Sequence, residues 1–84
     1  MGAEDVKQLL LLEFPEATVN VTGEDSNFSV DIISADFQDV SRLDRQKKIL
    51  SCVKEQITSG EIHAFSVQAY TAEEYRQANS LNVL

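Results

Sequence analysis

The chain has 84 residues and a formal net charge of −7, from 14 acidic and 7 basic side chains. That length argues for one domain, residues 1–84, with one modest core, and a content of 43% apolar and 25% charged residues is that of a globular chain, not a disordered one. Its longest apolar run, residues 9–12, is far short of the roughly 18 residues a membrane-spanning helix needs, so no membrane association is expected. The start is acidic (Glu4, Asp5), unlike a secretory signal, and the single cysteine, Cys52, excludes an intramolecular disulfide framework. The expected location is the cytoplasm, with its reducing conditions.

Residues 3–13 read as a first helix, with Val6, Leu9, Leu10 and Glu13 on one side, Leu12 beside them and Leu11 nearly opposite Leu9. Phe14-Pro15 ends it, because a residue before proline avoids the α region. Residues 18–22 are short and β-branched, and read as a strand. Residues 23–27, Gly-Glu-Asp-Ser-Asn, form a turn-rich loop. Alternation over residues 28–34 puts Phe28, Val30 and Ile32 on one face of a second strand, antiparallel to the first. Residues 35–40 are irregular.

Ser41 then opens the main helix, with Asp44 three residues on as an imperfect capping box. At roughly 100° per residue, Leu43, Ile49, Leu50, Val53 and Ile57 form one apolar stripe. Ser59-Gly60 supplies the stop. Residues 62–70 give a third strand with His63, Phe65, Val67 and Ala69 on one face. Thr71-Ala-Glu-Glu74 is a capping box for a short last helix to about Ala78, with residues 79–84 expected to fray. Strand, helix, strand over residues 28–70 is a βαβ crossover, so the third strand should run parallel to the second. The expectation is an α+β fold of the KH-like kind (class II), ordered α-β-β-α-β-α, with a three-stranded mixed sheet and its helices on one face.

Catalytic constellations are nearly absent. The one histidine and the one cysteine lie on different elements, and Cys52 sits at the boundary of its helix's apolar stripe, as small filler. No Cys-x-x-Cys, phosphate-binding loop or dinucleotide fingerprint is present, and no enzyme is expected. His63 admits two readings. One is a half-buried strand-start histidine with a backbone or water partner. The other is an imidazole at the rim of the sheet, able to ligate a borderline metal in a site completed by another chain.

Four of the seven cations, Arg42, Arg45, Lys47 and Lys48, fall within seven residues, the one opening for nucleic acid in an acidic chain. On the helical wheel they ring the helix instead of lining one face, unlike a base-reading helix. The Gly-x-x-Gly loop with which KH domains clamp single strands is missing. A solvated helix with a partner-facing arginine is the preferred reading, and a DNA-binding regulator of stress response or cell morphology the alternative.

Three segments together resemble one family. Phe37-Gln-Asp-Val-Ser41-Arg42-Leu-Asp-Arg45 is similar to the BolA motif F-x-G-x-S-R-x-x-R. Ile62-His63-Ala64-Phe65-Ser66-Val67 followed by Tyr70-Thr71-Ala-Glu-Glu-Tyr75 resembles I-H-A-x-S-I and Y-T-x-x-E-[WY]. Val21-Thr22-Gly23-Glu24-Asp25-Ser26-Asn27-Phe28 resembles V-x-G-D-x-S-H-F. The likeness covers nearly the whole chain, and the length is that of the family's smaller bacterial branch. It implies the same fold, a monothiol glutaredoxin as partner, and a two-iron, two-sulfur cluster shared with glutaredoxin and glutathione. The family's ligand histidine maps onto His63. Alone, the chain would be a monomer or weak homodimer without the cluster. Ser26 and Asn27 would shape the cluster pocket, and Ser41, Arg42, Arg45, Lys47 and Lys48 would offer the partner or nucleic-acid surface. Two departures stand out. Asn27 replaces the second ligand of the loop, and an amide ligates iron poorly. Asp39 replaces a motif glycine, and aspartate tolerates a positive-φ turn better than most residues.

Overall fold

A computed structural model describes the backbone of residues 1–83 and the side chains of residues 1–78. The elements are α1 (Ala3–Glu13), β1 (Thr18–Glu24), β2 (Asn27–Ile33), a 3₁₀ turn (Ala35–Phe37), α2 (Arg42–Cys52), α3 (Lys54–Ser59), β3 (Ala64–Tyr70) and α4 (Ala72–Val83). The sheet order is β1-β2-β3, with β1 antiparallel and β3 parallel to β2. This is the expected α+β, KH-like arrangement. Register brings Val19 beside Ile32, Val21 beside Val30, Phe28 beside Phe65 and Val30 beside Val67. These residues make one apolar face, and Val6, Leu10, Ile49 and Val53 of the helices pack fully buried against it. Asn20, Ser29, Asp31, Ser66 and Gln68 lie on the opposite face, exposed.

Local chemistry sets the boundaries. Asp5 caps α1 by accepting the Gly2 N–H at 2.8 Å, and Phe14 ends it. Ser41 Oγ accepts the Asp44 N–H at 3.1 Å at the start of α2. Gly60, at φ 86°, stops α3 in the left-handed conformation. Asp39 sits at φ 61°, so it does adopt the positive-φ turn that glycine takes in the motif.

Several expectations need correction. The main helix is two helices, because the backbone leaves helical geometry at Val53 (φ −118°, ψ 17°). Val53 is fully buried, so the core tolerates the bend; Leu43 and Ile57, placed in the stripe on a straight wheel, are 60% and 40% exposed. Leu12 is 82% exposed, while Leu9 and Leu11 each pack partly against the core. The loop at 23–27 contracts to a two-residue turn, Asp25-Ser26, since Gly23 pairs with Phe28 and Glu24 with Asn27. The irregular stretch after β2 contains the 3₁₀ turn, started by Ser34 Oγ accepting the Asp36 N–H at 3.0 Å. The third strand begins at Ala64, two residues later than expected. The helix α4 continues to Val83 instead of ending near Ala78, with no glycine or proline to interrupt it. The expected fraying of 79–84 concerns side chains outside those described, and Leu84 lies outside the described residues altogether.

Candidate functional site

His63 is held by its backbone and left free by its side chain. On one side Ile62, 2% exposed, anchors in the core and donates its N–H to the Gln56 carbonyl at 3.1 Å. On the other, the N–H groups of His63 and Ala64 both donate to the Ser26 carbonyl, at 2.7 and 3.1 Å. The tip of the β1–β2 hairpin is thus tied directly to the residue that precedes β3. The imidazole itself is exposed, not half-buried as its strand-start reading would have it, because it stands just outside the paired strand. Its Cε1 and Nε2 lie 3.9 Å from where a Cβ on Gly60 would stand, so the ring passes beside the helix-ending glycine. Neither ring nitrogen has a hydrogen-bond partner among the described residues.

Of the two loop residues singled out from the sequence, Ser26 meets His63 and Asn27 lies beside the next residue. Ser26 supplies the carbonyl, and Asn27, exposed, opens β2 directly beside Ala64. Among the described residues no three His, Cys, Asp or Glu side chains converge as a metal site. A metal centre here would therefore draw one imidazole from this chain and the remaining ligands from elsewhere. Cys52 lies half-buried on α2, a separate element. Burial, followed by the charge of Glu13, pushes its thiol above the usual range, and its Sγ donates to the Lys48 carbonyl at 3.4 Å.

The cation cluster divides. Arg42, Lys47 and Lys48 on α2, and Ser41 at its N-cap, are exposed. Arg45 is not: it is 7% exposed, and its placement on a partner surface is corrected. Its Nε donates to the Val40 carbonyl at 2.8 Å, one terminal nitrogen to the Phe37 carbonyl at 2.8 Å, and the other to the Ala69 carbonyl at 3.1 Å. The same fork grips both oxygens of Glu74, at 2.6 and 3.1 Å, and lies 5.7 Å from the centre of the Phe37 ring. Glu74 in turn closes the capping box of α4, accepting the Thr71 N–H at 2.9 Å while Thr71 Oγ1 accepts the Glu74 N–H at 3.3 Å. One guanidinium therefore joins the 3₁₀ turn, α2, β3 and α4. Three of its partners are backbone carbonyls, which no side-chain pattern announces. The spare carboxylate oxygen of a capping-box Glu74 was the one available hint.

The motif residues Phe37, Arg45, Thr71 and Glu74 thus form one structural clamp, and His63 with Ser26 forms the exposed end. The BolA-like protein family's profile matches residues 13–74, which spans both. The chain belongs to the BolA-like family. This BolA-like chain is 33% identical over 79 residues to an uncharacterised protein of the rpoN-murA intergenic region of Acinetobacter guillouiae, covering 94% of this chain and 95% of that one. It is 29% identical over 82 residues to the acid stress protein IbaG of Escherichia coli K12, covering 98% of each. Among solved structures, a BolA homologue from Coxiella burnetii superposes with a TM-score of 0.79 at 25% identity, over 90% of this chain and 97% of that one. No helix among the described residues of the BolA-like chain is long and apolar enough to cross a membrane.

Proposed function

We propose that the chain is a non-enzymatic partner of a monothiol glutaredoxin and contributes His63 as one ligand to a two-iron, two-sulfur cluster shared with the glutaredoxin and glutathione, in cluster sensing or delivery. The observation that carries this reading is the His63 imidazole: exposed, with both nitrogens unengaged, on a backbone fixed by the Ser26 carbonyl. A fixed backbone with a free ring is what a ligand to an incoming partner needs, since little ordering cost remains to be met at binding. The cluster, when bound, supplies the redox and transfer chemistry; this chain's residues supply the imidazole and the docking face. Asn27 stands beside the site but offers only an amide, so His63 is the one soft or borderline donor here. The exposed Ser41, Arg42, Lys47 and Lys48 are available to dock the partner.

Co-expression with a monothiol glutaredoxin, followed by visible absorbance and iron analysis of the purified pair, tests the reading. His63→Ala is expected to abolish the heterodimer's characteristic spectrum, while Asn27→His, by adding a second imidazole, should slow cluster loss. An unchanged spectrum in His63→Ala removes the ligand assignment.

The second reading, a DNA-binding regulator, is favoured by one observation: Arg42, Lys47 and Lys48 are exposed on one helix and form no ion pair among the described residues. With Arg45 withdrawn into its clamp, three cations remain, so log affinity should fall with log salt at a slope no steeper than roughly −3. Fluorescence anisotropy with promoter DNA across a salt series measures this, and no saturable binding near physiological salt would exclude the reading.

A further inference from the structure

The outer edge of β3 is open. Ala64 donates to Ser26 and the Tyr70 carbonyl accepts from Ser34, so the backbone groups of these even-numbered residues face β2. The Ala69 carbonyl accepts from Arg45 on the other side. By the alternation of a strand, the N–H and C=O of Phe65 and Val67 face outward with Ala69. They have no hydrogen-bond partner among the described residues. Exposed edges are ordinarily guarded by charged side chains, proline or a bulge. The strand Ala-Phe-Ser-Val-Gln-Ala-Tyr carries no charge and no proline. Beside this edge a cleft of about 660 Å³ opens between α2 and α4. Consecutive residues from Val67 to Tyr70 line it, so it borders the strand's edge and not one of its faces. On its far wall stands Arg42, exposed and without an ion pair among the described residues.

We propose that the β3 edge is a docking site for an extended, acidic segment of another protein, which adds a fourth strand beside Phe65 and Val67 and places an Asp or Glu against Arg42. Strand addition takes its affinity from main-chain hydrogen bonds and its selectivity from alternate side chains. Here the alternate side chains project into the cleft, where the one uncompensated charge is positive. A second copy paired edge to edge is a poor occupant, since its β3 carries no charge and would bring no carboxylate to Arg42. The proposal shares Arg42 with the docking face of the cluster reading but needs neither metal nor His63, so either can fail without the other.

The test is selection of a displayed random-peptide library on the full-length chain without iron. Enriched peptides are expected to alternate β-branched residues with Asp or Glu. Val67→Pro removes only an outward N–H, which an edge strand tolerates, and it should weaken the selected peptides roughly tenfold or more, as should Arg42→Glu. Peptides N-methylated at alternate positions keep the test decisive if Val67→Pro does not fold: methylation in the strand-pairing phase should abolish binding, and in the other phase leave it intact. The proposal is overturned if no acidic extended sequence is enriched, or if Val67→Pro and both methylation phases bind as well as the parent. It is also overturned if single-stranded DNA alone displaces the peptides at comparable concentration, or if sedimentation shows the free chain already paired through this edge.

Discussion

Arg45→Ala is expected to destabilise the protein by about 3 kcal/mol, enough to lower Tm by roughly 15 °C in a domain of this size. The loss does not come mainly from the ion pair. The Glu74 side chain is 45% exposed, so its attraction to Arg45 is screened by water. It comes from the carbonyls of Val40 and Ala69, which lose the donor Arg45 gives them, from that of Phe37, which keeps only the Val40 N–H, and from the guanidinium that packs against Phe37. A partly buried carbonyl without a donor costs about 1–3 kcal/mol, and truncation strands two of them, with solvent entering the gap able to rescue a part. Arg45→Lys should recover little, since an ammonium cannot span carbonyls on separate elements. Urea unfolding followed by circular dichroism measures the loss; a change in midpoint no larger than that of Lys47→Ala would refute the clamp.

The same network has a pH signature. The Arg45 hydrogen bonds hold the Glu74 carboxyl down at about 2, against an ordinary value of 4.5, with the Thr71 N–H adding to the effect. Below the ordinary value the unfolded chain therefore takes up this proton more readily than the folded one. The stabilisation by Glu74 is present in full above about pH 4.5 and drains away as pH falls toward 2. Glu74→Gln should remove that part of the acid sensitivity, so the two unfolding curves should converge on acidification.

Gly23→Ala is the second large effect. Gly23 sits at φ 118°, and a Cβ there would stand 2.1 Å from the Asn27 carbonyl oxygen, a backbone atom that cannot swing aside. The substitution should cost about 3 kcal/mol or more, with both the strained dihedral and the clash contributing. Relief requires the hairpin to open at Asn27, and the neighbouring Ser26 carbonyl is what fixes His63. The variant should therefore lose stability and also shift the His63 ring resonances in NMR, whereas Arg45→Ala, at the opposite end of β3, should leave those resonances in place while the protein is folded. Equal stability of Gly23→Ala and the parent would show that the turn has another conformation available.

How much of this was legible beforehand follows from where the information sits. Element order and strand pairing were readable, because apolar alternation, Gly60 and the Thr71–Glu74 box are side-chain signals, whereas placing Ser26 near His63 rested on the family resemblance alone. The break at Val53 was not. Ile49, Val53 and Ile57 keep helical spacing across it, and neither glycine nor proline marks the bend. Arg45 misled for the opposite reason. A charged side chain beside an apolar stripe normally faces water, and its three carbonyl partners belong to segments brought together only by the fold. The cleft beside the β3 edge was not legible, because the α2 and α4 residues that line it are brought together only by the fold.

The parallel ladder between β2 and β3 also fixes when the histidine end comes into being. Facing residues of those strands, such as Ser29 and Ser66, are 37 positions apart in the chain. The hairpin of β1 and β2 closes locally and early, whereas β3 can join only after the intervening helices have formed and a long loop has been closed. A chain newly made, or locally opened at β3, keeps its hairpin but has no Ser26 carbonyl against His63. The tie between the hairpin tip and His63 thus depends on β3 being docked, the contact with the longest loop to close.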